Sequence, residues 1–182
     1  MTSLILTVVG PDRPGLVDAL SGAVKQHGAN WLESQMAQLA GQFAGIVHVR
    51  VAESAVDALT ADLVNLQHRG LTVYVTCSQG PAESGAADPS SERAWRLELI
   101  GHDRPGIVRE LASALAARSI NVARLQTQTL SAPMSGETLF KAEADLHAPA
   151  GADPDELHDA LDHLAAELDL DLTLSTRAPA QP

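Results

Sequence analysis

The chain has 182 residues, a formal net charge of −11, 45% hydrophobic residues and only 3% aromatic ones. An acidic chain with no basic stripe repels phosphate backbones, which excludes direct nucleic-acid binding. The single cysteine, Cys77, excludes an intramolecular disulfide. No apolar run approaches the roughly 18 residues of a membrane-spanning helix, and the first residues lack a charged region or cleavage site of a signal peptide, so a cytoplasmic protein without membrane contact is expected. The length fits one or two domains. With so few aromatic residues, the cores must be built from Leu, Val, Ile and Ala, and a small domain gains from packing on a neighbour; a homo-oligomer is the expectation.

Taken in chain order, Leu4 to Val9 is a short apolar, β-branched run that reads as a strand, ended by Gly10 and Pro11. Pro14 and Gly15 open a helix, with proline suited to a first helical turn, and Leu16, Leu20, Ala23, Val24 and His27 keep its apolar face until Gly28. Trp31 to Leu39 and Phe43 to Ala52 form a hairpin turning near Ala40 and Gly41. In its second strand Val47, Val49 and Val51 alternate with Ile46, His48 and Arg50, the period of a half-buried strand. Val56, Leu59, Leu63 and Leu66 mark a second helix ended by Gly70, and Leu71 to Thr76 is the last strand of the first half.

After a Gly-, Pro- and Ser-rich stretch the order repeats. Trp95 to Ile100 is a strand and Pro105 to Arg118 a helix carrying Ile107, Val108, Leu111 and Leu115. Val122 to Leu130 and Thr138 to Leu146 are a hairpin with a longer turn. Leu157, Leu161, Leu164 and Leu168 mark a helix, and Asp169 to Ser175 the closing strand. Val9-Gly10-Pro11-Asp12-Arg13-Pro14-Gly15-Leu16-Val17 matches Ile100-Gly101-His102-Asp103-Arg104-Pro105-Gly106-Ile107-Val108 at an offset of 91 residues, and the same offset pairs Asn30 with Asn121. A repeat of that length is a duplicated domain, longer than a solenoid unit. The organisation expected is a domain at 1–78, a linker at 79–93, a second domain at 94–176 and a disordered tail at 177–182. The fold class is α+β, two tandem βαββαβ domains, each an antiparallel four-stranded sheet with two helices on one face. The other sheet face has to be covered by the sister domain or a second chain.

The duplicated turn offers chemistry. Unpaired N–H groups at a helix start, here at Gly15 and Leu16 and at Gly106 and Ile107, together with the positive end of the helix dipole, suit a carboxylate. Glycine admits close approach to the backbone. Asp12 and Asp103 can accept from an ammonium group, and the nearby Asn30 and Asn121 can donate and accept. Together these describe a site for an α-amino acid. The alternative is purely architectural: Asp-Arg-Pro-Gly also makes a good turn and helix start, with Asp capping and Pro setting φ. Duplication copies structural residues as readily as functional ones.

The run Gly10-Pro11-Asp12-Arg13-Pro14-Gly15-Leu16-Val17, the following Asn30 and the Leu39-Ala40-Gly41-Gln42-Phe43 hairpin resemble the ACT domain, an amino-acid-binding regulatory module with a ferredoxin-like fold. Two such domains with nothing else attached resemble the glycine cleavage system transcriptional repressor family. The resemblance implies pairing of domains side by side or back to back, with ligands at the interface near the first turn. It carries the ligand-binding role onto Asp12, Arg13, Pro14, Gly15, Leu16 and Asn30 and onto Asp103, Arg104, Pro105, Gly106, Ile107 and Asn121. It implies a small amino acid, glycine or serine-like, as ligand, and a DNA-binding activator protein as partner. A ligand-independent ACT module that dimerises and regulates a metabolic enzyme is the alternative. The chain departs from the pattern at Thr76-Cys77-Ser78, where close relatives are expected to carry Arg-Thr, and in the longer turn at Ser131 to Glu137.

Other features point to no reaction. There is no HExxH or cysteine cluster, His158 and His163 are badly spaced for one helix face, and no GxSxG, P-loop or GxGxxG is present. No enzyme activity, cofactor or metal is expected. The acids Asp153, Asp155, Glu156, Asp159 and Asp162 alternate with leucines and read as the solvated face of a helix. Cys77 reads as a buried, inert thiol.

Overall fold

The computed structural model describes residues 1–78, 93–131, 136–149 and 151–176. The chain divides into two compact units, Met1–Ser84 and Gly85–Pro182. The expected linker and tail lie outside the described residues, apart from Arg93, which begins a strand instead.

The first unit runs β1 (Thr2–Pro11), α1 (Leu16–Gln26), β2 (Asn30–Leu39), β3 (Gln42–Val51), α2 (Val56–Asn65) and β4 (Thr72–Cys77), with a 3-10 turn on each side of α2. The second runs β5 (Arg93–His102), α3 (Ile107–Ala116), β6 (Asn121–Ser131), β7 (Thr138–Ala148), α4 (Pro154–Leu168) and β8 (Leu170–Thr176). Both sheets are antiparallel, ordered β2-β3-β1-β4 and β6-β7-β5-β8. The fold is α+β, two tandem βαββαβ domains, each an antiparallel four-stranded sheet with two helices.

The period-2 pattern of β3 decides which face is inside. Val47, Val49 and Val51 are fully buried, whereas Ile46 and Arg50 are exposed. Leu4, Leu6 and Val8 of β1 join them, and Leu16, Leu20, Val24, Leu59 and Leu63 cover them from the helices. The second unit repeats this with Leu97, Leu99, Ala142, Ala144 and Leu146 under Ile107, Leu111, Leu115, Leu157 and Leu161. The acids of α4 do lie opposite its buried leucines, and Asp153 caps the helix by accepting from the Asp155 N–H at 2.9 Å.

Three local expectations are corrected. The helices start later than Pro14 and Pro105: Gly15 and Gly106 take left-handed φ values of 91° and 103°, so the helical run begins at Leu16 and Ile107. The prolines therefore belong to the turn. Val108 does not join the buried helix face; it is 42% exposed, as is its counterpart Val17 at 46%, because residues one step beyond the first buried position point away from the sheet. Cys77 is exposed, since it is the last residue of an edge strand beyond the cover of the helices.

The outward sheet faces differ in chemistry. In the first unit β1, β3 and β4 present Ile5, Val9, Ile46, His48 and Tyr74. In the second, the positions matching Ile5, Ile46 and His48 are Arg96, Glu143 and Asp145. Arg96 and Lys141 both reach Glu143 at 2.7 Å. Hydrogen bonds from Lys141 and then Arg96 hold the Glu143 carboxyl below the usual glutamate range, and Glu143 in turn raises both basic groups.

Candidate functional site

The duplicated turns stand at the end of each sheet where β1 or β5 delivers the chain to its helix. Asp12 and Asp103 are exposed, and their backbone N–H groups tie the turn to the neighbouring hairpin, donating to the Gly41 carbonyl at 2.8 Å and the Thr138 carbonyl at 3.0 Å. The first of those hairpins turns tightly through Ala40 and Gly41, both at positive φ, as a two-residue connection requires. Pro14, Gly15, Pro105 and Gly106 are exposed, while Leu16 and Ile107 anchor the helices in the cores.

Neither helix start has a side-chain cap, so Asp12 and Asp103 do not play the capping role the architectural alternative gives them. The first turn of each helix keeps N–H groups without an intrahelical partner. At Gly15 a side chain would meet nothing within 4 Å, so the space above the helix start is open. At Gly106 the Glu110 Oε1 atom stands 3.4 Å from where a Cβ would be, and Ala19 occupies the equivalent position in the first unit. The two turns are thus alike in backbone and unlike in electrostatics.

The arginines diverge as well. Arg13 lies across Gly70 and donates from Nη2 to the Arg69 carbonyl at 3.0 Å. Arg104 faces Glu110 at 3.8 Å.

The asparagines are not near the turn of their own domain. Asn30 pairs with Arg50 at the far end of β3, whereas the turn end is marked by the pairing of Pro11 with Gln42. From Gln42 to Arg50 the strand advances about 27 Å. Asn121, paired with His147, is displaced from Asp103 in the same way. Asn30 instead borders a groove of about 500 Å³ with Lys25, Gly28 and Trp31 at the other end of α1. The helix after each turn carries the chain back along the sheet, so both asparagines stand at the end opposite the turn of their own domain.

Residues missed in the sequence surround the turns. Leu39 and Leu130 are 77% and 38% exposed and stand, like Val17 and Val108, at the repeat offset of 91. Each turn therefore has exposed apolar neighbours in duplicate. Their signal in the sequence was the repeat itself, applied to positions that periodicity leaves outside the core.

Residues 2–76 match the family model of the ACT domain. A glycine cleavage system transcriptional repressor of Escherichia coli (strain K12) is 25% identical over 165 residues, covering 91% of this chain and 85% of that one. Among solved structures, an unknown protein from Galdieria sulphuraria superposes with a TM-score of 0.79 at 31% identity, over 97% of this chain and 99% of its own. A crystal structure assigned to a glycine cleavage system transcriptional repressor superposes at 0.72 over 97% of each chain, and at 21% identity it supports the fold alone.

Proposed function

The chain is an ACT-domain protein distantly related to the glycine cleavage system transcriptional repressor, and from that premise we propose that it senses a small amino acid, glycine or one like serine, and signals its presence through protein contacts. The observation that carries this reading is the open helix start at Gly15: uncapped N–H donors, nothing within 4 Å of where a Cβ would stand, and an exposed Asp12 three residues earlier that can accept from an ammonium group. Glycine at that position admits a carboxylate to the backbone, and Arg13, Pro14 and Leu16 fix the turn around it. Asp103, Arg104, Pro105, Gly106 and Ile107 are the second such turn.

Asn30 and Asn121, remote from the turn of their own domain, would serve a ligand held by the turn of a second copy of the chain. Strands β2 and β6 are sheet edges and so are free to bring them there. The exposed Val17, Leu39, Val108 and Leu130 supply apolar contact for that pairing. A homo-oligomer completes the site. The downstream partner is a DNA-binding activator, contacted by protein surface, since a chain of net charge −11 is repelled by DNA itself. The protein acts by binding and not by catalysis, in the cytoplasm, and needs no cofactor.

Calorimetric titration of the full chain with glycine, serine, alanine and the branched-chain amino acids tests the reading. Saturable heat with at least one small amino acid, reduced in Gly15→Val, is expected. No heat and no thermal shift with any of them would overturn it in favour of a ligand-independent ACT module.

A further inference from the structure

The strand registers lay out the outward face of the first sheet row by row. Gln35, Ile46, Thr7 and Tyr74 form one line across β2, β3, β1 and β4. Glu33, His48, Ile5 and Thr76 form the line on one side of it, and Ala37, Ala44, Val9 and Thr72 the line on the other. These rows hold one acid, Glu33, and neither lysine nor arginine. Ile46 is 54% exposed and Tyr74 63%. An exposed apolar face of this extent marks an interaction surface.

The same face carries a knob and a hollow. Tyr74 stands on edge strand β4, and a groove of about 280 Å³ lies toward the opposite edge, lined by Ile5, Glu33, Ser34, Gln35, Ile46 and His48. Tyr74 and Gln35 are three strand spacings apart, about 14 Å. A two-fold axis parallel to the strands, lying over the gap between β3 and β1, exchanges the two edges. It brings the second copy's Tyr74 over Gln35 and the groove, its Thr7 over Ile46 and its Val9 over Ala44. Glu33 comes over the second copy's Thr76, which keeps the two Glu33 carboxylates at opposite edges. Ile5 and Ile46 meet the ring, and Glu33 and Gln35 offer acceptors to the hydroxyl. The same operation fails in the second domain. Its central row is Gln126, Glu143, Glu98 and Thr173, so the second copy's Glu98 would stand over Glu143.

We propose that the outward face of the first sheet is covered by the same face of a second copy of this chain, each Tyr74 filling the other copy's groove. The arrangement is an aligned sandwich with an isologous interface. β1 and β3 are ten residues long, so the face measures about 33 Å by about 19 Å and buries on the order of 600 Å² per copy. The total, about 1,200 Å², lies at the low end of specific interfaces and suits a dimer that dissociates on dilution. This surface is distinct from the hydrogen-bonding edge of β2 and from Val17, and the inference does not depend on binding of an amino acid.

The test is sedimentation equilibrium of the full chain over a range of concentrations, without added ligand. Self-association is expected, weakened about thirtyfold by Tyr74→Ala and further by Ile46→Glu. Both positions are exposed, and circular dichroism checks that the variants stay folded. Glu98→Ala, on the matching face of the second domain, leaves association unchanged. Cross-linking fixes the register. In a Cys77→Ser background, a short bismaleimide joins Thr76→Cys of one chain to Glu33→Cys of another faster than it joins two Thr76→Cys chains. A monomer at every concentration, association that Tyr74→Ala and Ile46→Glu leave intact, or cross-linking without that preference would overturn the proposal.

Discussion

Arg13 donates to the Arg69 carbonyl at 3.0 Å directly over Gly70, a residue with no side chain to obstruct it. One contact thereby links the β1–α1 turn to the corner before β4. Gly70→Ala would both displace the guanidinium and place an L-residue at φ 79°. We expect a loss of about 2–3 kcal/mol. Urea unfolding of the full chain, with Trp31 reporting on the first unit in a Trp95→Phe background, measures it. An unchanged midpoint would show that the contact contributes nothing.

The carboxylate of Glu110 near Gly106, with alanine at the matching position 19, makes the two helix starts unequal for an anionic ligand group. If the turns take a carboxylate, the first binds it more tightly. Ala19→Glu should weaken binding at the first turn about fivefold, and Glu110→Ala should strengthen it at the second by a similar factor. Site-resolved amide shifts during a glycine titration distinguish the two turns. Equal affinities in the wild-type chain would contradict this.

His27 and Asp62 meet at 2.7 Å between α1 and α2. At the position matching His27 the second unit has Arg118, which bonds within its own helix to the Ala114 carbonyl at 3.1 Å. Asp62→Ala should therefore destabilise the first unit by about 1 kcal/mol and leave the second unaffected. Thermal unfolding monitored separately at Trp31 and Trp95 checks both halves of that statement.

The pH dependence has a defined sign. The Glu143 carboxyl is held below its ordinary value by Lys141 and Arg96. Its contribution to stability is present above the unfolded-state value, near 4.5, and is lost as pH falls through the lower folded-state value. Glu143→Gln should consequently be less stable than wild type at pH 7, and the difference should shrink below pH ~4 and in high salt. Urea unfolding at several pH values follows it; a difference that persists at pH ~2.5 would refute the assignment.

The fold could be read from the sequence wherever one period dominated. The valines of β3 alternate cleanly, and the leucines of α4 repeat at helical spacing, so burial followed from pattern alone. The site was legible only in part, because its geometry depends on residues far apart in the chain. Asn30 follows α1 closely in sequence, but α1 carries the chain back along the sheet, so β2 begins at the end opposite the turn, where Asn30 stands beside Arg50 and, across it, Ser3. The fate of Arg13 and Arg104 is decided by residues 70 and 169, where one copy has glycine and the other aspartate. The late helix starts at Leu16 and Ile107 follow from left-handed glycines, a conformation that composition permits without requiring.

Tandem copies of one topology face a hazard during folding, since a strand of one copy can enter the sheet of the other. The unlike outward faces penalise that exchange. Were β1 to replace β5 beside β7, Ile5 would stand in the place of Arg96, opposite Asp145, and Glu143 would lose one of the two cations that reach it. That exchange would cost the Arg96–Glu143 pair, so the side of the sheet that the cores do not use helps to tell the two halves apart while the chain folds.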